Sequence, residues 1–155
     1  MHVSTLVLAA LTSALAAAAP AAQHTKRACT VTFPTNTATI HLAKNPAVNI
    51  PQDLAFTVPN GAGGPCSLVA TFPAGYPIAS SGQTQVNVFD VDGPAAGAIV
   101  GTVTFASSAA GPTFVTINSF ACRPSMRYRL ELAGTQGAVD FAEGAGAGVA
   151  VTYNC

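Results

Sequence analysis

The strongest constraint on the fold is a two-residue alternation of apolar and polar side chains, which recurs in short segments after residue 28. Such a period places successive side chains on opposite faces of a β-strand, whereas an amphipathic helix needs apolar residues three or four positions apart. Gly and Pro separate the segments, as expected for turns. The predicted strands are Cys29–Phe33, Thr37–Leu42, Leu54–Val58, Cys66–Phe72, Gln83–Val91, Ala98–Ala106, Thr113–Ser119, Met126–Leu132, Ala138–Ala142 and Gly148–Tyr153.

Strands that are apolar on one side need a second layer to cover them. Met126–Leu132 shows the pattern most clearly, because its apolar residues alternate with Arg127, Arg129 and Glu131. Half of all residues are apolar and 8% are charged, which excludes a disordered chain. We therefore predict one all-β domain over residues 28–155, an antiparallel two-sheet β-sandwich of the jelly-roll type, with a closed β-barrel as the alternative.

The N-terminal region carries signals for export. Its apolar run ends at Pro20 after about 14 residues, whereas a membrane-spanning helix needs about 20. We predict a signal peptide over residues 1–18 rather than a membrane anchor. A short pro-segment, residues 19–27, ends in Lys26-Arg27, which resembles the dibasic sites that kexin-type proteases cut in the fungal secretory pathway.

Four cysteines, Cys29, Cys66, Cys122 and Cys155, agree with export to an oxidising compartment. Their spacing has no C-x-x-C pair and no partner histidine, which favours two disulfides over a zinc site. Three pairings are open. An antiparallel hairpin between Met126–Leu132 and the last strand would return Cys155 to Cys122, so we favour Cys122–Cys155 with Cys29–Cys66. Each bridge is expected to stabilise the fold by about 3–4 kcal/mol.

Several segments resemble a fungal family, the C-terminal domain of ubiquitin-three-binding (But-type) proteins. Leu54–Pro59 contains an F-x-x-P strand, and Gly64–Pro73 follows as a glycine loop with C-x-L-x-x-x-F-P. Phe120–Pro124 is similar to the family's cysteine-proline turn, which precedes a tyrosine-bearing strand matched by Tyr128–Leu132. Val151–Cys155 resembles its closing strand.

The resemblance covers roughly residues 50 to 155 and implies a secreted, β-sandwich-like domain of filamentous ascomycetes. These motifs are structural, so the resemblance implies no activity and no catalytic residue. Arg123, between Cys122 and Pro124, departs from the family pattern. The ubiquitin-pathway role is not carried over, because an exported, disulfide-bonded chain does not meet a cytosolic partner.

Few residues could carry catalysis. His41 is the one histidine after residue 27, and no G-x-S-x-G motif is present, so we predict no nucleophilic triad. Asp90 and Asp92 are the closest carboxylates, about 7 Å apart if both lie on a strand. Because Asp92-Gly93-Pro94 is a typical turn, a turn role is favoured. A hydrolase using Asp/Glu pairs is the alternative, and calcium binding at this pair is a weaker candidate.

The chain has six basic and six acidic residues, and this balance excludes sequence-independent nucleic-acid binding. Arg123, Arg127 and Arg129, near Glu131, form the one charged concentration. A solvated strand face with cross-strand partners is the simpler interpretation. The alternatives are a patch for an anionic partner, or an arginine-glutamate site with His41 of the kind that small secreted ribonucleases use.

The sequence thus predicts a secreted, non-catalytic β-sandwich that acts outside the cell or at the cell wall as a binding or interaction module. Its expected partner is an extracellular ligand, with wall polysaccharide or a host protein as candidates, and no cofactor, nucleic acid or membrane is expected. A small secreted hydrolase and a host-directed effector are the alternatives. With so few titratable groups, the melting temperature is expected to be nearly flat between about pH 4 and 8.

Overall fold

The structure, a computed structural model, describes residues 28–144 and 146–155. Within these ranges the chain forms twelve β-strands and no helix. The strands are β1 Thr30–Thr32, β2 Thr39–Asn45, β3 Val48–Ile50, β4 Gln52–Thr57, β5 Cys66–Phe72, β6 Ala79–Gly82, β7 Gln85–Asp90, β8 Ile99–Thr104, β9 Thr113–Phe120, β10 Ser125–Leu132, β11 Gly137–Ala142 and β12 Gly148–Tyr153.

The strands form three antiparallel sheets of four strands each. The terminal sheet has the order β1-β12-β5-β9, the arginine sheet β4-β10-β7-β8, and the histidine sheet β3-β2-β11-β6. An all-β, disulfide-stapled sandwich is therefore confirmed, with its strands divided among three hydrogen-bonded sheets where two were expected. No closed barrel is formed by the described strands.

All ten predicted strands are present, with ends that differ by a few residues. β3 and β6 were missed because both are short and every residue in them is exposed. An exposed strand carries no alternation of buried and solvated side chains, so the period of two is absent from its sequence.

The two disulfides are Cys29–Cys155 and Cys66–Cys122, so the pairing favoured from the sequence is wrong. That pairing assumed a hairpin between β10 and β12, but β10 lies between β4 and β7 in another sheet. β12 instead pairs with β1, which brings Cys29 and Cys155 to a Cα–Cα distance of 4.3 Å. Cys66 pairs with Phe120 in the β5–β9 register, beside Cys122.

The apolar faces of the three sheets share one core. β10 contributes every second side chain, from Met126 to Leu132, as its alternation predicts. Phe72, Phe105 and Phe141 pack edge to face, with ring centroids 4.9 to 6.2 Å apart. The outward-facing residues of the arginine sheet and the loops at its ends remain available for contacts with other molecules.

The predicted signal peptide, pro-segment and Lys26-Arg27 cleavage site lie outside the described residues. None of the described residues belongs to a helix long and apolar enough to cross a membrane. The two disulfides are typical of extracellular proteins.

Candidate functional site

A cavity of about 180 Å³ lies where the ends of β7, β9 and β10 meet; we call it the end cavity. Phe120, Tyr128 and Val100 give it apolar walls, and Asp90, Asn118 and Arg123 give it polar ones. Apolar walls with a few convergent polar groups are the usual composition of a small-molecule site.

Strand register brings these residues together. Asp90, the last residue of β7, pairs with Tyr128 of β10, so both side chains lie on the same face of the arginine sheet. Asn118 and Phe120 come from the end of β9 in the terminal sheet. The Cys66–Cys122 disulfide holds the following loop, which carries Arg123, against β5.

Asp90 is buried and shapes the turn between β7 and β8. Its Oδ1 accepts a hydrogen bond from the Gly93 N–H at 2.8 Å, and its Oδ2 accepts one from the Ala95 N–H at 3.1 Å. Gly93 lies so close that a Cβ atom there would overlap the Asp90 carboxylate. The turn role expected for this segment is therefore observed, and Asp90 still presents a negative charge to the cavity.

Asp92 positions Arg123 rather than lining the cavity. Arg123 donates from Nη1 to the Asp92 carbonyl at 3.0 Å and from Nη2 to Asp92 Oδ1 at 3.2 Å. The same Oδ1 accepts the Arg127 N–H at 3.1 Å. Arg123 Nη2 also lies 3.7 Å from Asp90 Oδ1. One guanidinium thus bridges two carboxylates at the rim of the cavity.

These contacts bear on the calcium interpretation of Asp90 and Asp92. Both Asp90 oxygens and Asp92 Oδ1 already accept N–H or guanidinium donors, and the positive charge of Arg123 opposes a second cation at this pair. No cluster of three or more His, Cys, Asp or Glu residues suited to a metal ion occurs in the described part of the chain. The geometry therefore favours a turn and an ion pair at this position.

Tyr128 keeps its proton. Burial raises the pKa of its hydroxyl above the ordinary value, the negative charge of Asp90 adds to the rise, and the Arg123 guanidinium opposes it. The ring also packs beside Phe120, with centroids 5.6 Å apart. Tyr128 therefore offers the cavity both an aromatic surface and a neutral hydroxyl.

Arg127 and Arg129 do not join Arg123, so the three-arginine patch, one of the alternatives raised by the sequence, is divided. They point outward from β10 on the opposite face of the arginine sheet. Asp53 of β4 accepts hydrogen bonds from Arg129 at 2.7 and 3.2 Å and from Arg127 at 3.5 Å. Arg129 is therefore the main reason that the pKa of Asp53 is lowered, despite an opposing effect of partial burial. The expected cross-strand partners are present.

His41 is not part of either arginine site. It lies on the exposed side of β2, and its Nδ1 pairs with Asp140 of β11, its cross-strand neighbour in the histidine sheet. Glu131 pairs with Lys44 at 2.9 Å, and this hydrogen bond is the main cause of its lowered pKa. An arginine-glutamate-histidine site is therefore not assembled among the described residues, and no arrangement there indicates catalysis.

Glu143 is a titratable residue that the sequence did not reveal. It follows β11, is 7% exposed, and neither carboxyl oxygen has a hydrogen-bond partner in the part of the chain described. Burial raises its pKa to about 8, and the Val149 N–H, which lies nearby without the geometry of a hydrogen bond, opposes part of the rise. The expectation of a flat pH profile is thereby withdrawn. The adjacent Gly144–Gly148 segment has the composition of a loop, which gave no indication that its neighbour is buried.

Comparison with known proteins found no match to any protein-family model and none among the curated proteins. The resemblance to the But-type domain therefore stays a prediction.

Proposed function

We propose that the protein is a secreted, non-catalytic binding module that holds a neutral sugar unit of wall polysaccharide in the end cavity. The observation that carries the proposal is the pairing of aromatic walls, Phe120 and Tyr128, with hydrogen-bonding groups of both kinds. A sugar ring has apolar C–H faces that pack on aromatic rings, and hydroxyl groups that both donate and accept.

The charges of the cavity favour a neutral ligand. Arg123 lies between Asp90 and Asp92, so the cluster has a formal charge of −1. An anionic ligand would be repelled by this surplus, while Arg123 opposes a cationic one. A hydroxyl-rich ligand can accept from Arg123 and donate to Asp90 without bringing a charge of its own.

The remaining polar groups complete this chemistry. Asn118 Oδ1 accepts the Ser119 N–H at 2.8 Å, which leaves its amide nitrogen to donate to a ligand. The neutral Tyr128 hydroxyl offers another contact. At about 180 Å³, the cavity is smaller than the 300–1,000 Å³ typical of drug-sized ligands and suits one ring.

Binding without catalysis is supported by the carboxylates. Asp90 is the one acid among the described residues that lines the end cavity, and glycoside hydrolysis ordinarily needs two acids on opposite sides of the scissile bond. Export is supported by the disulfides and by the predicted signal peptide. Membership of the But-type family, which the sequence motifs suggest, would agree with this role.

The test is titration calorimetry of the oxidised protein with short β-1,3-glucan, chitin and mannan oligosaccharides. One ring of about 12 non-hydrogen atoms, at about 0.3 kcal/mol per atom, gives about 3.6 kcal/mol and a dissociation constant near 2 mM. Tyr128→Phe removes one hydrogen bond worth about 1 kcal/mol, so affinity should fall about fivefold. Tyr76→Phe is the matched control, because the Tyr76 hydroxyl donates to Ala142 outside the cavity.

Binding weaker than about 20 mM for all three sugars would end the proposal. The same would follow if Tyr128→Phe bound sugar as tightly as the unchanged protein. Release of reducing ends from any of these polysaccharides, abolished by Asp90→Asn, would favour the hydrolase alternative instead.

A further inference from the structure

The outward face of the arginine sheet has features that the end cavity does not use. A depression of about 280 Å³ is lined there by Phe89, Asp90, Val91, Gly97, Arg129 and Glu131. The Asp90 side chain is buried beside Tyr128 on the other face, where its oxygens accept the Gly93 and Ala95 N–H groups. Strand register sets Arg129, Phe89 and Ile99 side by side across β10, β7 and β8. Ile99 is 53% exposed, which leaves an apolar strip next to charged side chains.

The charge of this face is positive at one end. Lys44, Arg127 and Arg129 face Asp53 and Glu131, a surplus of one positive charge. The surplus lies at Arg127, since its guanidinium reaches Asp53 through one contact of 3.5 Å and its side chain is 49% exposed. Arg129 makes two shorter contacts with Asp53 but is nearly as exposed.

The size of the face limits its occupant. Four strands about 4.8 Å apart and six residues long at about 3.4 Å each give a flat area of roughly 400 Å². A standard protein interface buries about 800 Å² on each partner, twice this area. A narrow chain therefore fits the face better than a globular protein.

We propose that this face binds an acidic polysaccharide, with a uronate carboxylate at Arg127 and the apolar side of a sugar ring on Phe89 and Ile99. Arginine binds carboxylates with paired N–H donors. The Arg127 guanidinium contacts Asp53 only through Nη2, so its other N–H groups can bind a carboxylate of the ligand. Glu131, at the other end of the depression, is paired with Lys44, so the uncompensated positive charge of the face lies at the Arg127 end. The proposal uses none of the residues of the end cavity and does not depend on a sugar binding there.

The test measures binding of oligogalacturonate by calorimetry, with the fully methyl-esterified oligomer as the uncharged control. The acidic chain should bind, and its affinity should fall between about 20 and 200 mM salt because an exposed guanidinium is screened. Arg127→Gln should weaken binding about five- to tenfold. Phe89→Ala should weaken it as well, while Phe114→Ala, which removes a more exposed ring from the terminal sheet, should not.

Absence of oligogalacturonate binding would overturn the proposal, as would equal binding of the esterified chain. Binding that survives both Arg127→Gln and Phe89→Ala would place the ligand elsewhere and overturn it too. Tyr128→Phe should leave uronate binding unchanged. The uronate proposal and the end-cavity proposal can therefore fail independently of each other. If an acidic protein bound through the same residues and oligogalacturonate did not, the polysaccharide proposal would be overturned.

Discussion

Replacing Glu143 by glutamine should remove most of the pH dependence of stability between pH 5 and 8. In the folded protein burial raises the pKa of this carboxyl from 4.5 to about 8. The native state therefore holds the proton more tightly than the unfolded chain does. Stability is greatest below the unfolded pKa and falls as pH rises towards the folded one, because the unfolded state ionises first.

The size of the effect follows from the two pKa values. Each unit of difference corresponds to about 1.4 kcal/mol, so the whole shift from 4.5 to about 8 corresponds to almost 5 kcal/mol. Between pH 5 and 7 the free energy of unfolding should fall by about 2–3 kcal/mol. For a domain of this length that is a drop of roughly 8–10 °C in melting temperature.

Thermal and urea unfolding followed by circular dichroism at pH 5, 6, 7 and 8 measures this directly. Glu143→Gln cannot ionise, so its stability should change little across the range. Glu131→Gln is the matched control, because Glu131 is paired with Lys44, has a lowered pKa and titrates below this window. Equal slopes for Glu143→Gln and the unchanged protein would refute the reasoning.

Three further changes test other parts of the structure. Gly93→Ala should destabilise the protein by about 1–3 kcal/mol in urea unfolding, because a Cβ atom would overlap the Asp90 carboxylate. The same substitution should weaken sugar binding. Unchanged stability would contradict the turn geometry. Asp53→Asn should cost at most about 1 kcal/mol near pH 7, since its ion pairs are exposed. The difference should shrink as pH falls below the ordinary Asp pKa and through the lowered pKa of the folded state; a difference as large at pH 2 as at pH 7 would contradict this. A non-reducing peptide map should join Cys29 to Cys155, and removing Cys66 and Cys122 together should cost about 4 kcal/mol and release the Arg123 loop.

Local features of the fold could be predicted because they depend on neighbours in sequence. The alternation in β10 gives its buried and exposed faces directly, and Asp92-Gly93-Pro94 marks the turn that follows β7. The disulfide pairing could not be predicted in this way, since Cys29 and Cys155 meet through the β1–β12 register across 126 residues. No local pattern specifies which distant strands will pair.

In the candidate sites, too, only the arrangement of residues close together on one strand could be predicted from the sequence. Arg127 and Arg129 share a face because they are two positions apart on one strand. Arg123 was grouped with them by proximity in sequence, but it precedes β10 in a loop held by Cys122 and lies at the end cavity. The burial of Glu143 depends on how the histidine and terminal sheets pack, which the sequence around it does not record.

The bond between Cys29 and Cys155 turns the domain into a covalent ring. Tension applied to the chain ahead of Cys29 and to Cys155 would pass through the two sulfur atoms, and the twelve strands would carry almost none of it. A single proteolytic cut in a loop likewise leaves both pieces linked. Mechanical load and limited digestion are therefore resisted by topology, independently of how strongly the sheets hold together.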